Sequence, residues 1–469
     1  MAIQTQNFNN GDYVLGGSKR VITCTSSQVD QPKFRFYLEV IYDGKTYAYT
    51  FRPNQLEYGI IDISSIIQNL VYSINVQQVL TLPDALATGN ANKFQQNIHS
   101  MPHKKFIGTG YRQQYLSTGG NGAKRIQLKL YDFYATTSNT APAKQGSSVD
   151  ANMYVLAGYN KSTDLINYSF SDYRLTTTSN QWLNGNYNSL NATTQSIDTA
   201  ISDYGTLAFL NRTDDVNDSA NTQYITIKYY NTSGAETTEV FTNSNLYGGK
   251  YASAGVTDDS MIIHFGCYPA NLNKLEATFT RPSDISNLDY YEVYASSFNG
   301  FAVYSKKYRF NIIERCDKYD AQRFAYINNF GVWEYITFNK KRTDRISNTK
   351  TEIKSSVYNY QLEYDNVSAG YNEQPFVPGV AHESRRVTST NAKQSFTINT
   401  GYLQDYEIEQ VKDMFLSSSI NYINTDGTAL SVILTNRNID EVVVSHNYEQ
   451  TEYRLTFEYS IETYNPILL

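Results

Sequence analysis

Residues 34–42 read FRFYLEVIY, and this stretch indicates the fold class of the chain. Its large apolar side chains fall on every second position, as in a β-strand with one buried face; they are Phe34, Phe36, Leu38, Val40 and Tyr42. Asp43 and Gly44 follow, and this dipeptide favours a two-residue turn because both positions tolerate a positive φ. The next residues place Tyr47, Tyr49 and Phe51 on one face of a return strand. The segment therefore predicts a β-hairpin.

The same alternation recurs to the end of the chain. The final strand is the clearest, with apolar residues at every second position from Tyr453 to Ile461. Apolar spacings of three and four residues, typical of a helix, occur only near 60–74 and 402–416. The 42 Tyr and 22 Phe also favour pleated surfaces. The sequence thus predicts a mainly β protein with several antiparallel β-sandwich or barrel-like domains, two short helices and long extended loops.

Changes in pattern along the 469 residues suggest four divisions. Residues 1–135 are predicted to form an N-terminal β-domain with one helix. Residues 136–205 are rich in Asn, Ser and Thr and read as an arm or insertion, because their periodicity is weak. Regular strands then predict a central β-sandwich region over 206–345. Residues 346–469 are predicted to form a C-terminal β-domain with one helix.

Composition narrows the classes of function. The chain has 39 Lys and Arg against 45 Asp and Glu, a net charge of −6, so it lacks the basic field of a general nucleic-acid binder. Tyr is abundant and only 2 Trp occur, which suits sheet faces and protein interfaces. The first residues lack the pattern of a secretory signal, and no apolar run is long enough for a membrane helix. We therefore expect synthesis in a cytoplasm and no membrane-spanning segment.

No residue pattern nominates a catalytic, cofactor-binding or metal site. His99 and His103 have a spacing that binds metals on helices, but they lie in a polar loop and are interpreted as solvated. The run from Gly119 to Lys124 lacks the phosphate-loop spacing and is interpreted as a flexible hairpin loop. The three cysteines, Cys24, Cys267 and Cys316, are far apart and are expected to be buried free thiols, with one disulfide as the alternative. We accordingly predict no cofactor and no enzymatic activity.

The densest basic cluster comprises Lys340, Lys341, Arg342 and Arg345, directly after an aromatic run. Such a cluster could contact a nucleic-acid backbone or an acidic partner, although a solvated turn after a strand is the simpler interpretation. The aromatic run contains Trp333, which we expect to be buried in the domain or at a subunit contact.

Residues 323–338, RFAYINNFGVWEYITF, resemble a pattern in virion proteins of tailed bacteriophages of Bacteroidota hosts, the crAss-like group and related podoviruses. There the pattern runs roughly Trp-Leu-Asn-x-Phe-Gly-x-x-Asp-Tyr-Tyr-Thr-Phe. Tyr326 stands here in the place of Trp, and Glu334 in the place of Asp. The N-terminal module is similar to those proteins as well, in the order of its 34–42 strand, its turn, residues 52–54 and the helix entry at 59–63.

This resemblance implies a structural role in the tail or in its connection to the head. We therefore expect a homo-oligomeric ring or layer in the virion, assembled in the host cytoplasm with other tail proteins. Packaged DNA in the channel could touch it passively. The alternative is a tail fibre or baseplate protein that binds a host-surface glycan or receptor. A glycan depolymerase with an unrecognised carboxylate pair is a third hypothesis.

Oligomerisation is also expected from two polar segments, 88–123 and 136–205. Such segments bury too little apolar surface to order themselves. We predict that neighbouring subunits order them through aromatic anchors, namely Tyr154, Tyr159, Tyr168, Tyr173 and Trp182. The alternative is that both fold back on their own domain as ordinary loops.

Overall fold

The computed structural model shows a mainly β chain with several sheets. It describes residues 3–9, 11–42, 44–71, 98–100, 122–159, 170–185, 189–191, 193–210, 224–242, 262–273, 287–297, 300–315, 318–354, 362–365, 370–373, 385–438, 451–461 and 463–466. Within these ranges there are three α-helices, α1 (Ser64–Gln68), α2 (Pro269–Leu272) and α3 (Asp405–Leu416). The predicted mainly β fold with few short helices is therefore confirmed.

The described residues contain twenty-six strands, numbered in chain order. They are β1 (Ile3–Gln6), β2 (Asp12–Leu15), β3 (Val21–Ser26), β4 (Arg35–Tyr42), β5 (Lys45–Phe51), β6 (Gly59–Asp62), β7 (Ala123–Tyr134), β8 (Ala143–Leu156), β9 (Ser189–Asn191), β10 (Thr194–Thr199), β11 (Thr206–Leu210), β12 (Tyr224–Asn231), β13 (Glu236–Thr242), β14 (Ile262–Gly266), β15 (Leu288–Ser296), β16 (Lys307–Ile312), β17 (Gln322–Ile327), β18 (Trp333–Phe338), β19 (Arg342–Lys354), β20 (Leu362–Asp365), β21 (Gly370–Glu373), β22 (Arg385–Leu403), β23 (Ile420–Ile423), β24 (Ala429–Leu434), β25 (Thr451–Tyr459) and β26 (Thr463–Pro466).

The N-terminal hairpin forms as the sequence predicts. Strands β4 and β5 pair from Phe36 with Phe51 to Tyr42 with Lys45, and Gly44 has a φ of 71° in the turn. They belong to a five-stranded sheet in the order β2-β8-β7-β4-β5, in which β2 and β8 run parallel. Strands β1, β3 and β6 form a smaller sheet that packs on the same apolar core.

The first helix is shorter than the spacing over 60–74 indicates. Residues 59–62 form β6, which pairs with β3, and the helix begins only at Ser64. Asp62 accepts a hydrogen bond from the Ser64 N–H at 2.9 Å, which holds the strand-to-helix junction. Ile67, Leu70 and Val71 are buried as the spacing predicts, whereas 72–74 lie outside the described residues.

The central region is a six-stranded sheet in the order β13-β12-β15-β16-β10-β9, in which β10 and β16 run parallel. Strands β11 and β14 form a separate pair. Strands β17 and β18 lie within the predicted region 206–345, and β19 begins there, yet all three belong to the sheet of the C-terminal region. That sheet runs β18-β17-β23-β24-β25-β22-β19, with β26 beside β22, and α3 packs on its aromatic core.

The described parts of 136–205 include a strand and a core residue that are held by the chain itself, without a neighbouring subunit. Residues 143–156 form β8, and Trp182 is fully buried in the chain's own central core. The first half of β8 is mostly exposed and polar, so its strand pattern is weak in the sequence. Tyr154 is also buried within the chain, so the expectation that it and Trp182 anchor subunit contacts is wrong. Tyr168 and most of 88–123 lie outside the described residues.

Candidate functional site

The segment that carries the resemblance forms the β17–β18 hairpin and the turn between its strands. Asn328 organises this turn, because its Oδ1 accepts hydrogen bonds from the N–H groups of Phe330 at 3.0 Å and Val332 at 3.3 Å. Its Nδ2 donates to the carbonyl oxygen of Leu183 at 3.0 Å. Gly331 has a φ of 80°, a conformation that favours glycine. The Asn-x-x-Gly spacing of the motif is thus explained by the turn.

This turn, residues 328–332, packs directly on the end of β8. The Tyr159 N–H donates to the carbonyl oxygen of Asn329 at 2.8 Å. A Cβ on Gly331 would lie only 2.4 Å from the carbonyl oxygen of Ala157, and one on Gly158 would lie 2.3 Å from that of Asn329. Two glycines therefore allow two backbones to approach, which fixes the hairpin against the N-terminal sheet.

Glu334 is the acidic member of the motif, and it is almost completely buried. Its Oε2 accepts hydrogen bonds from the Gly185 N–H at 2.6 Å and from Asn328 Nδ2 at 3.3 Å. Burial nevertheless raises the pKa of Glu334 to about 7, because removal from water penalises the charged form more than these donors compensate. The carboxyl group therefore holds together the turn and residues 184–185.

Trp333 is fully buried, which confirms the expectation for this residue. His99 meets its ring edge-on, with centroids 4.7 Å apart, and His99 Nδ1 lies 3.0 Å from the Tyr335 hydroxyl. The backbone N–H of Trp333 donates to His264 Nε2 at 3.5 Å. Burial lowers the pKa of both histidines to about 3, so both are neutral at physiological pH.

The interpretation of His99 as a solvated loop residue is therefore wrong, while His103 lies outside the described residues. His99 belongs to a short 3₁₀ turn, Ile98–Ser100, that enters the core. Its partners Asn271, Tyr335 and Asn421 come from three distant parts of the chain. No local pattern in the sequence could have placed it there.

A second buried charge cluster lies beside Tyr335. Arg315 forms two hydrogen bonds of 2.8 Å with the carboxylate of Asp203, and Arg323 lies 3.4 Å from the same group. Burial raises the pKa of Asp203, but the charges of the two arginines outweigh it and hold this pKa below its usual range. The guanidinium of Arg323 also stacks over the ring of Tyr268, 4.7 Å from its centroid.

A cleft of about 780 Å³ opens next to these groups. One wall is the end of β18 with the following residues up to Lys341, and the other is formed by β10. Residues 399–404 and the first turns of α3 complete it. Six tyrosines share this lining, mixed with amides and charges of both signs: Tyr268, Tyr308, Tyr319, Tyr335, Tyr402 and Tyr406. Such a surface suits an uncharged polar ligand or a polypeptide.

The basic cluster is split by the structure. Arg342 begins β19, is half-buried, and stacks 4.2 Å from the ring centroid of Phe396. Lys340, Lys341 and Arg345 are exposed, and both lysines lie at the cleft. The interpretation as a solvated turn therefore fits the two lysines. Arg342 instead packs on Phe396, and the pattern of charges in the sequence cannot distinguish it from the lysines.

Other sequence candidates have no site around them in the described part of the chain. Of the Gly119–Lys124 run, Gly119 to Asn121 lie outside it, and β7 begins already at Ala123. Cys24 and Cys267 are buried free thiols, and Cys316 is not described. Among the described residues, no group of three or more His, Cys, Asp or Glu side chains could hold a metal ion. None of the described helices is long and apolar enough to cross a membrane.

Comparison with protein-family models matches no family, and comparison with curated proteins finds no relative.

Proposed function

We propose that the protein is a non-enzymatic structural component of a bacteriophage tail that forms a ring or layer by self-association. The observation that carries this proposal is a projecting β-ribbon. It consists of β19, the first half of β22 and β26. Every residue of 343–354 is exposed, and none belongs to an apolar core. Residues 385–394 of β22 precede the part of this strand that pairs with β25. Ten strand residues span about 33 Å, so the ribbon extends about that far beyond the rest of the sheet.

Strand β19 pairs with β22 on one side, and no described strand pairs with its outer side. An open strand edge offers backbone donors and acceptors to another chain. The ribbon also exposes two isoleucines, Ile346 at 70% and Ile353 at 42%. Assembly with a second copy would cover both features. This supports a role in which the chain works only as part of an oligomer.

The motif shared with phage virion proteins is consistent with a structural role. Asn328, Gly331 and Glu334 hold the hairpin turn against the N-terminal sheet and against residues 183–185. Those residues therefore have an architectural purpose that needs no substrate. Because the likeness lies in a sheet junction, it supports a common architecture more directly than a common chemistry.

The expected partners are further copies of the chain and other tail proteins in the virion, assembled in the host cytoplasm. Passive contact with packaged DNA in a central channel is part of the same proposal. The exposed Lys340 and Lys341 would suit that contact only if they face the channel.

The decisive experiment is electron microscopy of the purified protein, combined with light scattering across a concentration series. Closed rings are expected, and antibodies against the protein should label one layer of the tail in virions of the phage that encodes it. A chain that stays monomeric at all concentrations and leaves the virion tail unlabelled would refute the proposal.

One observation favours the alternative of a fibre or baseplate protein that binds a host-surface glycan or receptor. Tyr402, 67% exposed, and the half-buried Tyr406 lie at the cleft, and tyrosines stack on sugar rings. Calorimetry with purified host polysaccharide distinguishes the two functions. Saturable binding that is lost in Tyr402→Ala, together with a trimeric rod in micrographs, would support the alternative.

A further inference from the structure

The two edges of the C-terminal sheet differ in a way that suggests how copies of the chain join. Strand β18 forms one edge and β19 the other. The β18 edge is recessed, since all its residues except Thr337 are buried. The β19 edge projects, and no described strand pairs with its outer side. The same sheet therefore has a recessed edge at β18 and a projecting edge at β19.

The free backbone groups of β18 can be identified from the pairing. The Asn328 N–H donates to the carbonyl oxygen of Val332, which makes these two residues a hydrogen-bonded pair of the hairpin. Hydrogen-bonded and non-hydrogen-bonded pairs alternate in an antiparallel ladder. In the register of Ile327 with Trp333, the backbone groups of Trp333, Tyr335 and Thr337 therefore face away from β17.

Only the first of these three residues has its outward groups bonded. The carbonyl oxygen of Trp333 accepts a hydrogen bond from Asn184 Nδ2 at 3.0 Å, and its N–H donates to His264. Tyr335 and Thr337 have no backbone partner on this side among the described residues. Both line the 780 Å³ cleft. An unpaired strand edge in a cleft is a ready acceptor for an added strand.

Strand β19 has the properties of a matching donor. Ile346 and Ile353 are seven residues apart, so they project from opposite faces of the strand. A strand enclosed between two walls is contacted on both faces, and each face of β19 carries one exposed isoleucine. The ribbon has charges of both signs, as the cleft does with Lys340, Lys341, Glu407 and Glu452.

We propose that β19 of one copy enters the cleft of the next and pairs there with the free edge of β18. The inference rests on the proposed self-assembly and names its contact. Each copy donates a ribbon and receives one, so the contact joins two different surfaces. A heterologous contact of this kind closes into a ring when its rotation divides a full turn.

Two single substitutions test the two sides of the contact. Thr337→Pro removes an outward N–H while the inward ladder is kept, and Ile346→Lys places a charge on the exposed ribbon. Each is expected to weaken self-association roughly tenfold or more, as measured by analytical ultracentrifugation. Thr337→Val keeps the backbone N–H, although it loses the hydrogen bond from Arg323, and Ile346→Val keeps the apolar face. Both controls should assemble like the parent chain.

Mixing the two disrupted variants gives the sharper test. The Thr337→Pro chain still has an intact ribbon, and the Ile346→Lys chain still has an intact cleft. At a concentration just above the one at which the parent chain assembles, each variant alone should be mainly monomeric, and an equimolar mixture should form a one-to-one heterodimer but no ring. Thermal unfolding of each monomer shows that it is folded, so a folding defect is not mistaken for lost contact.

The outcomes separate this contact from the proposed function. Rings that form normally from both disrupted variants would overturn the cleft-and-ribbon contact while leaving the tail ring intact. A mixture that contains no heterodimer would also overturn it. A parent chain that never self-associates would contradict the proposed function itself, and the contact with it.

Discussion

The turn at 328–332 joins β17 to β18, and residues 343–354 belong to β19 of the same sheet. The two regions lie fewer than fifteen residues apart, yet they differ in burial and in hydrogen bonding. In the turn, Asn328, Gly331 and the adjoining Glu334 are buried or closely packed, and polar groups find partners within the chain. In the ribbon every residue from 343 to 354 is exposed. The turn stabilises the fold of one copy. The ribbon strand adds no residue to an apolar core, which is in keeping with the proposed role as a contact between copies.

The largest effect on the turn side should come from Trp333→Ala. The side chain is fully buried, with His99 against its face edge-on, so its removal leaves a large cavity in the central core. Loss of about 3–5 kcal/mol in the free energy of unfolding is expected. Urea unfolding followed by circular dichroism measures it, and an unchanged midpoint would show that the core tolerates the gap.

Gly331→Ala should cause the next largest loss in the free energy of unfolding. An alanine there would need a φ of 80° and would place its Cβ 2.4 Å from the carbonyl oxygen of Ala157. Backbone strain of this kind costs on the order of 1–3 kcal/mol. Any displacement of the hairpin away from Ala157 would add to this cost. The matched control is Gly234→Ala, which has a similar φ of 81° but open space around the Cβ. The difference between the two variants isolates the contact with Ala157; equal losses would show that this contact adds no cost of its own.

Acid should destabilise the turn side through the buried histidines. The pKa of His99 and of His264 is lowered from 6.5 to about 3, so the unfolded chain binds protons that the native chain excludes. Their contribution is complete above pH 6.5 and is lost as the pH falls toward 3, by about 1.4 kcal/mol per pH unit for each histidine. Glu334 acts in the opposite direction, because its pKa is raised from 4.5 to about 7 and the native chain gains its proton first.

Between pH 6.5 and 4.5 one histidine and Glu334 therefore cancel, and a net loss of about 1.4 kcal/mol per pH unit is expected. Glu334→Gln removes the compensation, so its slope in this range should roughly double. Urea unfolding at several pH values measures both slopes. Identical slopes for the parent and the variant would show that Glu334 does not titrate as described.

The contrast between turn and ribbon also marks what the sequence can reveal. Period-two alternation predicts the strands well where one face is buried, as in β4 and β25, because burial selects apolar residues. It says little about β19 or the first half of β8, whose faces are both polar. The buried position of His99 depends on Tyr335 and Asn421, more than two hundred residues away, and leaves no local trace. The cleft is equally invisible, since its walls come from strands far apart in the chain.

The smallest effect on stability is expected on the ribbon side. Lys350→Ala and Ile346→Lys replace exposed side chains without an apolar core beneath them, so each should change the unfolding free energy by no more than about 0.5 kcal/mol. The two should differ only in assembly, because Lys350→Ala adds no charge to the strand. Limited proteolysis completes the test: cleavage within 343–354 should be fast in monomers and slow in assembled particles. If Ile346→Lys lowered the free energy of unfolding by several kcal/mol, the ribbon would stabilise the fold of the single chain. The proposed contrast, in which the turn stabilises one copy and the ribbon contacts the next, would then be wrong.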